Sequence, residues 1–96
     1  GMLGTYLSKY LSSFYQVICI TRNEYNVMTN SFEQLEELLV KNGIDQNTTV
    51  INAIGTIPQA SANYKLNDHM YVKINSVFPH VLWQICKKYN AKIFFK

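Results

Sequence analysis

The chain has 96 residues, 48% hydrophobic and 16% charged, and a formal net charge of +3. That length allows one domain with a modest core. The composition excludes a disordered tail, and no apolar run reaches the ~18 residues that suggest a membrane span.

Residues Gly1 to Phe14 lack a basic opening and a small-residue cleavage site. The expected location is therefore cytoplasmic, with no membrane partner. Lys87, Lys88, Lys92 and Lys96 gather toward the end of the chain. No Arg cluster or aromatic platform accompanies them. They read as a solvated helix end whose charge suits the helix dipole, and no nucleic-acid partner is expected. Cys19 and Cys86 each sit inside an apolar run and read as buried, reduced thiols. A metal site would need more ligands at closer spacing than His69 and His80 offer, so none is expected.

The first expected element is a helix from Gly1 to Ser13. Leu3, Leu7, Tyr10, Leu11 and Phe14 recur at three- and four-residue steps. Gly1 and Gly4 open it. A helix start free of side chains exposes N–H groups and is a candidate anion site. The alternative is that Gly1 is a tag residue before an initiating Met2. Gln16 to Arg22 reads as a buried strand rich in β-branched residues. Asn23 to Asn30 reads as a loop, in which Tyr25 to Met28 could form a short strand.

Ser31 to Asn42 reads as an amphipathic helix with Phe32, Leu35, Leu38 and Leu39 on its apolar face. Its capping box is either Ser31 with Gln34 or Asn30 with Glu33. Gly43 ends it, and Glu33, Glu36 and Glu37 serve the dipole and solubility rather than catalysis.

The central stretch is Thr49 to Gln59, Thr-Val-Ile-Asn-Ala-Ile-Gly-Thr-Ile-Pro-Gln. It begins as a short apolar run, apolar on both faces, which suits a buried strand. It breaks at Gly55, and Pro58 stops it from continuing. A strand that ends in small residues and a turn is a common ligand edge. After a polar loop over Gln59 to Asn67, Asp68 caps a long helix reaching Tyr89. Its apolar stripe is Met70, Tyr71, Ile74, Val77, Phe78, Val81, Leu82, Ile85 and Cys86.

Pro79 inside that helix cannot donate an N–H and crowds the Asn75 carbonyl. Either the helix kinks near Asn75, or it breaks at Phe78 and Pro79 opens a second helix. Ala91 to Phe95 is the last strand. Helices alternating with strands predict an α/β fold, a parallel sheet with helices across its faces.

Taken together, these segments resemble the N-terminal part of the extended short-chain dehydrogenases/reductases. They resemble in particular the dTDP-4-dehydrorhamnose reductase-like, sugar-nucleotide-binding group within the NAD-dependent epimerase/dehydratase superfamily. Gly1-Met-Leu-Gly4-Thr-Tyr-Leu7 resembles the second half of that family's glycine turn. Ile51-Asn-Ala-Ile-Gly55 resembles its Asn-Ala-Ala/Gly segment, and Ile74-Asn75 with Phe78-Pro79-His-Val-Leu82 resembles the helix that follows. Ala91-Lys-Ile-Phe-Phe95 resembles the strand leading to its Ser/Thr-Thr-Asp segment. The likeness spans nearly the whole chain. No single motif is specific; their order and spacing carry it.

The resemblance implies a partial Rossmann-like, doubly wound parallel sheet that lacks its first strand, within a fragment truncated at both ends. The strands from Gln16 and Thr49 would then pair with each other or leave a gap. The parent protein would be an NAD(P)-dependent reductase or epimerase of nucleotide sugars, active in polysaccharide biosynthesis. Its partners would be the dinucleotide and a nucleotide sugar. Gly1, Met2, Leu3 and Gly4 would bind the pyrophosphate.

Thr21 and Arg22 would meet the adenosine ribose. Arg22 favours the 2′-phosphate of NADP over NAD, although Glu24 nearby could reverse that preference. Asn26 and Val27 stand where the family has Asp-Ile/Val beside adenine. Ala53, Ile54 and Gly55 would line the ribose and nicotinamide, and Asn75 would support the active site. The Tyr-x-x-x-Lys catalytic pair is not found in these residues, so the fragment itself is expected to be inactive. The alternatives are a non-catalytic dinucleotide-binding regulatory subunit and a small α/β protein with no cofactor.

Overall fold

A computed structural model describes residues 2–54 and 68–95. The protein is a small α/β fold with a two-stranded parallel sheet and helices. Helix α1 spans Met2–Leu11 and α2 spans Phe32–Lys41. Strand β1 spans Thr49–Asn52. Helix α3 spans Asp68–Val72, a π-helical turn covers Lys73–Val77, α4 covers Phe78–Lys88, and strand β2 closes at Lys92–Phe95. No helix among the described residues is long and apolar enough to cross a membrane.

Helix α2 is set by its ends. The Ser31 hydroxyl accepts from the Gln34 N–H at 3.1 Å, and the Gln34 side chain accepts from the Ser31 N–H at 2.8 Å. That reciprocal pair is the capping box, and it selects Ser31 over Asn30 as the cap. At the other end, Gly43 adopts φ 84°, and the Ile44 N–H reaches back to the Leu39 carbonyl at 3.0 Å. The left-handed residue reverses the chain and sends Ile44 into the core. Asn90 does the same after α4, with φ 58° and the Ala91 N–H bonded to the Cys86 carbonyl at 2.8 Å. These two reversals feed the strands.

β1 and β2 pair in parallel, with Thr49 opposite Lys92 and Asn52 opposite Phe95. Val50, Ile93 and Asn52 are at least half-buried, while Thr49, Ile51, Lys92 and Phe94 on the other face are exposed. The expectation of a strand buried on both faces is thus corrected: only one face of β1 is covered. The strand also ends earlier than the apolar run. The Asn52 carboxamide oxygen accepts from the Ile54 N–H at 2.9 Å, and this local bond turns the chain off the sheet.

The core joins Leu35, Leu39 and Ile44 to Ile74, Phe78, Leu82, Ile85 and Cys86, with Tyr25 and Val27 closing one side. Cys86 is fully buried, and its burial pushes the thiol pKa up. Outside the core, the Glu36 carboxylate ties α2 to the end of α4. It accepts from the Lys88 ammonium at 2.6 Å and from the Tyr89 hydroxyl at 2.7 Å.

Three expectations about the first third of the chain are corrected. Gln16 to Arg22 is not a strand, and no backbone hydrogen bond links it to β1 or β2 among the described residues. Thr21 instead folds back on itself, its carbonyl accepting from the Glu24 and Tyr25 N–H groups, both at 3.0 Å. Tyr25 to Met28 is likewise not a strand. The Asn26 side chain accepts from the Met28 N–H at 2.8 Å, and the Asn30 side chain accepts from the Asn26 N–H at 2.7 Å. Those carboxamides give the backbone turn partners in place of a ladder. Cys19 is exposed rather than buried. Tyr6 and Tyr10 of α1 and Phe14 just after it are also exposed; the Tyr6 and Tyr10 rings stack with centroids 6.4 Å apart, and Phe14 lies tilted against Tyr10 at 5.6 Å.

The long helix is neither broken nor interrupted by a loop at Pro79. Its turn over Lys73–Val77 widens to π geometry, and the Phe78 N–H bonds to the Lys73 carbonyl, five residues back. Pro79 then lies in the first turn of α4, where its missing N–H costs least. Pro79 thus opens α4 at its first turn, as the second alternative expected, but the widened turn before it carries the helix through without the expected break.

Candidate functional site

The candidate site is the edge where β1 ends. α4 returns to the start of β2 through Asn90 and Ala91. Its 11 residues rise roughly 15 Å and a four-residue strand rises roughly 13 Å, so Phe78 stands about level with the C-terminal end of the strands. By that arithmetic the π-helical turn, which precedes Phe78, falls toward the end where Asn52, Ala53 and Ile54 leave the sheet. Turns of this type are often found at functional sites.

The loop over residues 21–30 is brought to this end by Tyr25. Its ring stacks on Phe78 with centroids 6.1 Å apart, and its hydroxyl donates to the Ser31 carbonyl at 3.1 Å. Burial raises the Tyr25 pKa, so the hydroxyl stays protonated and keeps donating. Lys73 of the π turn lies 5.9 Å from the Phe32 ring, a second contact between this end and the start of α2.

The expected site residues fall into four groups. Thr21, Arg22 and Asn26 share the loop, the first two exposed and Asn26 half-buried. The Glu24 carboxylate accepts from the Thr21 N–H at 3.2 Å and from the Thr21 hydroxyl at 3.3 Å. Arg22 makes no ion pair among the described residues. Val27 is 6% exposed, and its side chain is packed in the core. Ala53 is half-buried and Ile54 exposed at the end of β1, and Asn75 is exposed on the π turn. Met2, Leu3 and Gly4 lie on α1, which places no described side chain in the core cluster that joins the other groups. Gly1 and Gly55 lie outside the described residues.

Two further residues shape this edge: Asn52, which the sequence shows as a polar residue opening the wall from Asn52 to Gly55, and Tyr25, which sequence reasoning gave no site role. Asn52 is buried at 7% exposure and fixes the exit from β1. An Asn inside an apolar run was the available signal. Tyr25 anchors the loop, and only its position before a helix cap could have suggested it. A separate open groove, lined by Glu33, Glu36, Glu37, Val40, Lys41 and Tyr89, lies along α2 and includes none of the expected site residues. Comparisons with protein-family models, curated proteins and solved structures found no match.

Proposed function

We propose that this chain is the cofactor-binding part of an NAD(P)-dependent reductase or epimerase of nucleotide sugars, built as a partial Rossmann-like unit. The observation that carries the reading is the stacking of Tyr25 on Phe78, beside a parallel β1–β2 pair. A parallel strand–helix–strand unit ends its first strand in Asn52-Ala53, and Tyr25 docks the loop bearing Thr21 and Arg22 against the helix at that end. Ligands of open α/β sheets sit beyond the carboxyl ends of the strands.

The residues fit part of a dinucleotide. Arg22 is an exposed cation without an ion-pair partner among the described residues, suited to a 2′-phosphate. Ala53 is small where the cofactor would pass. The Val27 side chain does not fit an adenine contact, because it is packed in the core. When bound, the cofactor supplies the hydride. In this reading Arg22 holds charge, Ala53 leaves room, and Asn52 fixes the wall between them. The chain has no Tyr-x-x-x-Lys pair to protonate a sugar oxygen, so its role is binding rather than turnover.

Titration of the purified chain with millimolar NADPH, followed by amide chemical shifts, tests this. Shifts concentrated at residues 21–26 and 52–54 are expected. A cofactor-free α/β protein would show none. Oxidation of NADPH by the chain with a nucleotide keto sugar would overturn the assignment of binding without turnover.

A further inference from the structure

Two apolar faces of the chain have no partner among the described residues. One is the outer face of the sheet, where Ile51 lies opposite Phe94, with Lys92 opposite Thr49 at one end of the pair. The other is the row of Tyr6, Tyr10 and Phe14 along α1 and the turn after it. No described side chain of α1 enters the core cluster. Parallel sheets are ordinarily covered on both faces, and this one is covered on one.

We propose that these faces are the two halves of an interface between two copies of this chain, with α1 of each copy lying on the outer sheet face of the other. The ring row is about as long as a four-residue strand, roughly 13 Å. Tyr6, Tyr10, Phe14, Ile51 and Phe94 are each 42–67% exposed. With aromatic side chains of about 200 Å², covering what is exposed buries roughly 600 Å² in one contact and roughly 1,200 Å² in a reciprocal pair. One contact alone falls short of a stable interface, and the reciprocal pair reaches its lower bound. Lys92 supplies an ammonium for the face of a tyrosine ring of the other copy, and the tyrosine hydroxyls reach water at the rim. A two-fold pair uses both faces of both copies and leaves none for a third. The interface uses neither Arg22 nor Ala53, so it is independent of the dinucleotide reading.

Sedimentation velocity of the purified chain from about 1 µM to about 1 mM tests this. The unaltered chain is expected to pass from one copy to two, half-associated at tens of micromolar, as a small interface allows. Tyr10→Glu on α1 and Phe94→Glu on the sheet each enter the pair twice, so each should weaken it about a hundredfold or more. Both positions are exposed, and the circular dichroism of both variants should match that of the unaltered chain. A chain that stays single up to the highest concentration overturns the proposal. So does association that Phe94→Glu leaves intact, which would mean helix against helix, or that Tyr10→Glu leaves intact, which would mean sheet against sheet. Growth past two copies rejects the reciprocal closure.

Discussion

Residues 25–52 with 68–95 and residues 2–23 are comparably apolar but have different fates. In the first region each helix is sealed by a specific end: the Ser31 box, Gly43, and Asn90 after α4. Its apolar residues meet one another, and all the core residues come from it. In the second region Tyr6, Tyr10, Phe14, Tyr15 and Ile18 are each more than half exposed. The Gln16 to Arg22 run has strand composition but no strand to pair with among the described residues. Periodicity specifies which face of an element is apolar. It does not specify a partner for that face, and burial requires one.

The comparison can be broken most sharply at Phe78. Its ring is 2% exposed and stacked on Tyr25, so Phe78→Ala should cost about 3–5 kcal/mol in urea unfolding. Phe14→Ala, at 67% exposure, should cost within about 0.5 kcal/mol. Similar losses at the two sites would mean that the turn after α1 is packed as firmly as α4.

The two thiols offer a chemical version of the same contrast. Cys19 is exposed, whereas Cys86 is buried with its pKa raised by burial. Under native conditions an aromatic disulfide reagent should label Cys19 orders of magnitude faster than Cys86, which should wait for unfolding. Equal labelling rates would place Cys86 outside a stable core.

A smaller effect sharpens the boundary itself. Ser31→Ala removes half of the capping box and should lower stability by about 1 kcal/mol, while Ser31→Asp should preserve most of it. Smaller still is the Glu36 link. The hydrogen bond and charge from Lys88 and the hydrogen bond from Tyr89 lower the Glu36 pKa below its ordinary 4.5. A carboxylate lowered in the folded state contributes stability above pH 4.5 that is lost as the pH falls through its folded value. Lys88 is raised above 10.5, mainly by its bond to Glu36, so its share is lost as the pH rises through that raised value. The stability difference between the unaltered chain and Glu36→Gln should be small, greatest between those limits, and reduced by salt. A difference that grows below pH 4 would contradict this sign.

The helices were legible in the sequence because each carries its own signal. The Ser31 and Gln34 spacing, the Gly43 stop and the long stripe from Ile74 to Cys86 all appear in the structure close to where the pattern puts them. The last strand was legible for the same reason. The segment from Gln16 to Met28 was not. Strand composition there competes with Thr21, Asn26 and Asn30, whose side chains supply turn bonds at short range. Of the candidate site, the small residue after β1 could be read from the sequence. The docking of the 21–30 loop could not, because it depends on Tyr25 meeting a helix more than fifty positions away.

The π turn also has a consequence for winding. In an α-helix, four residues overshoot a full turn by about 40°, so a row spaced by fours drifts around the axis. The wider turn between Ile74 and Phe78 winds back against that drift, and the following step to Leu82 restores it. The three side chains therefore stack along a nearly straight ridge, and all three are buried against one wall of the core. Pro79 is thus less an interruption than a phase correction. It holds one slow turn in a long helix, and that slow turn keeps the apolar edge aimed at the core from end to end.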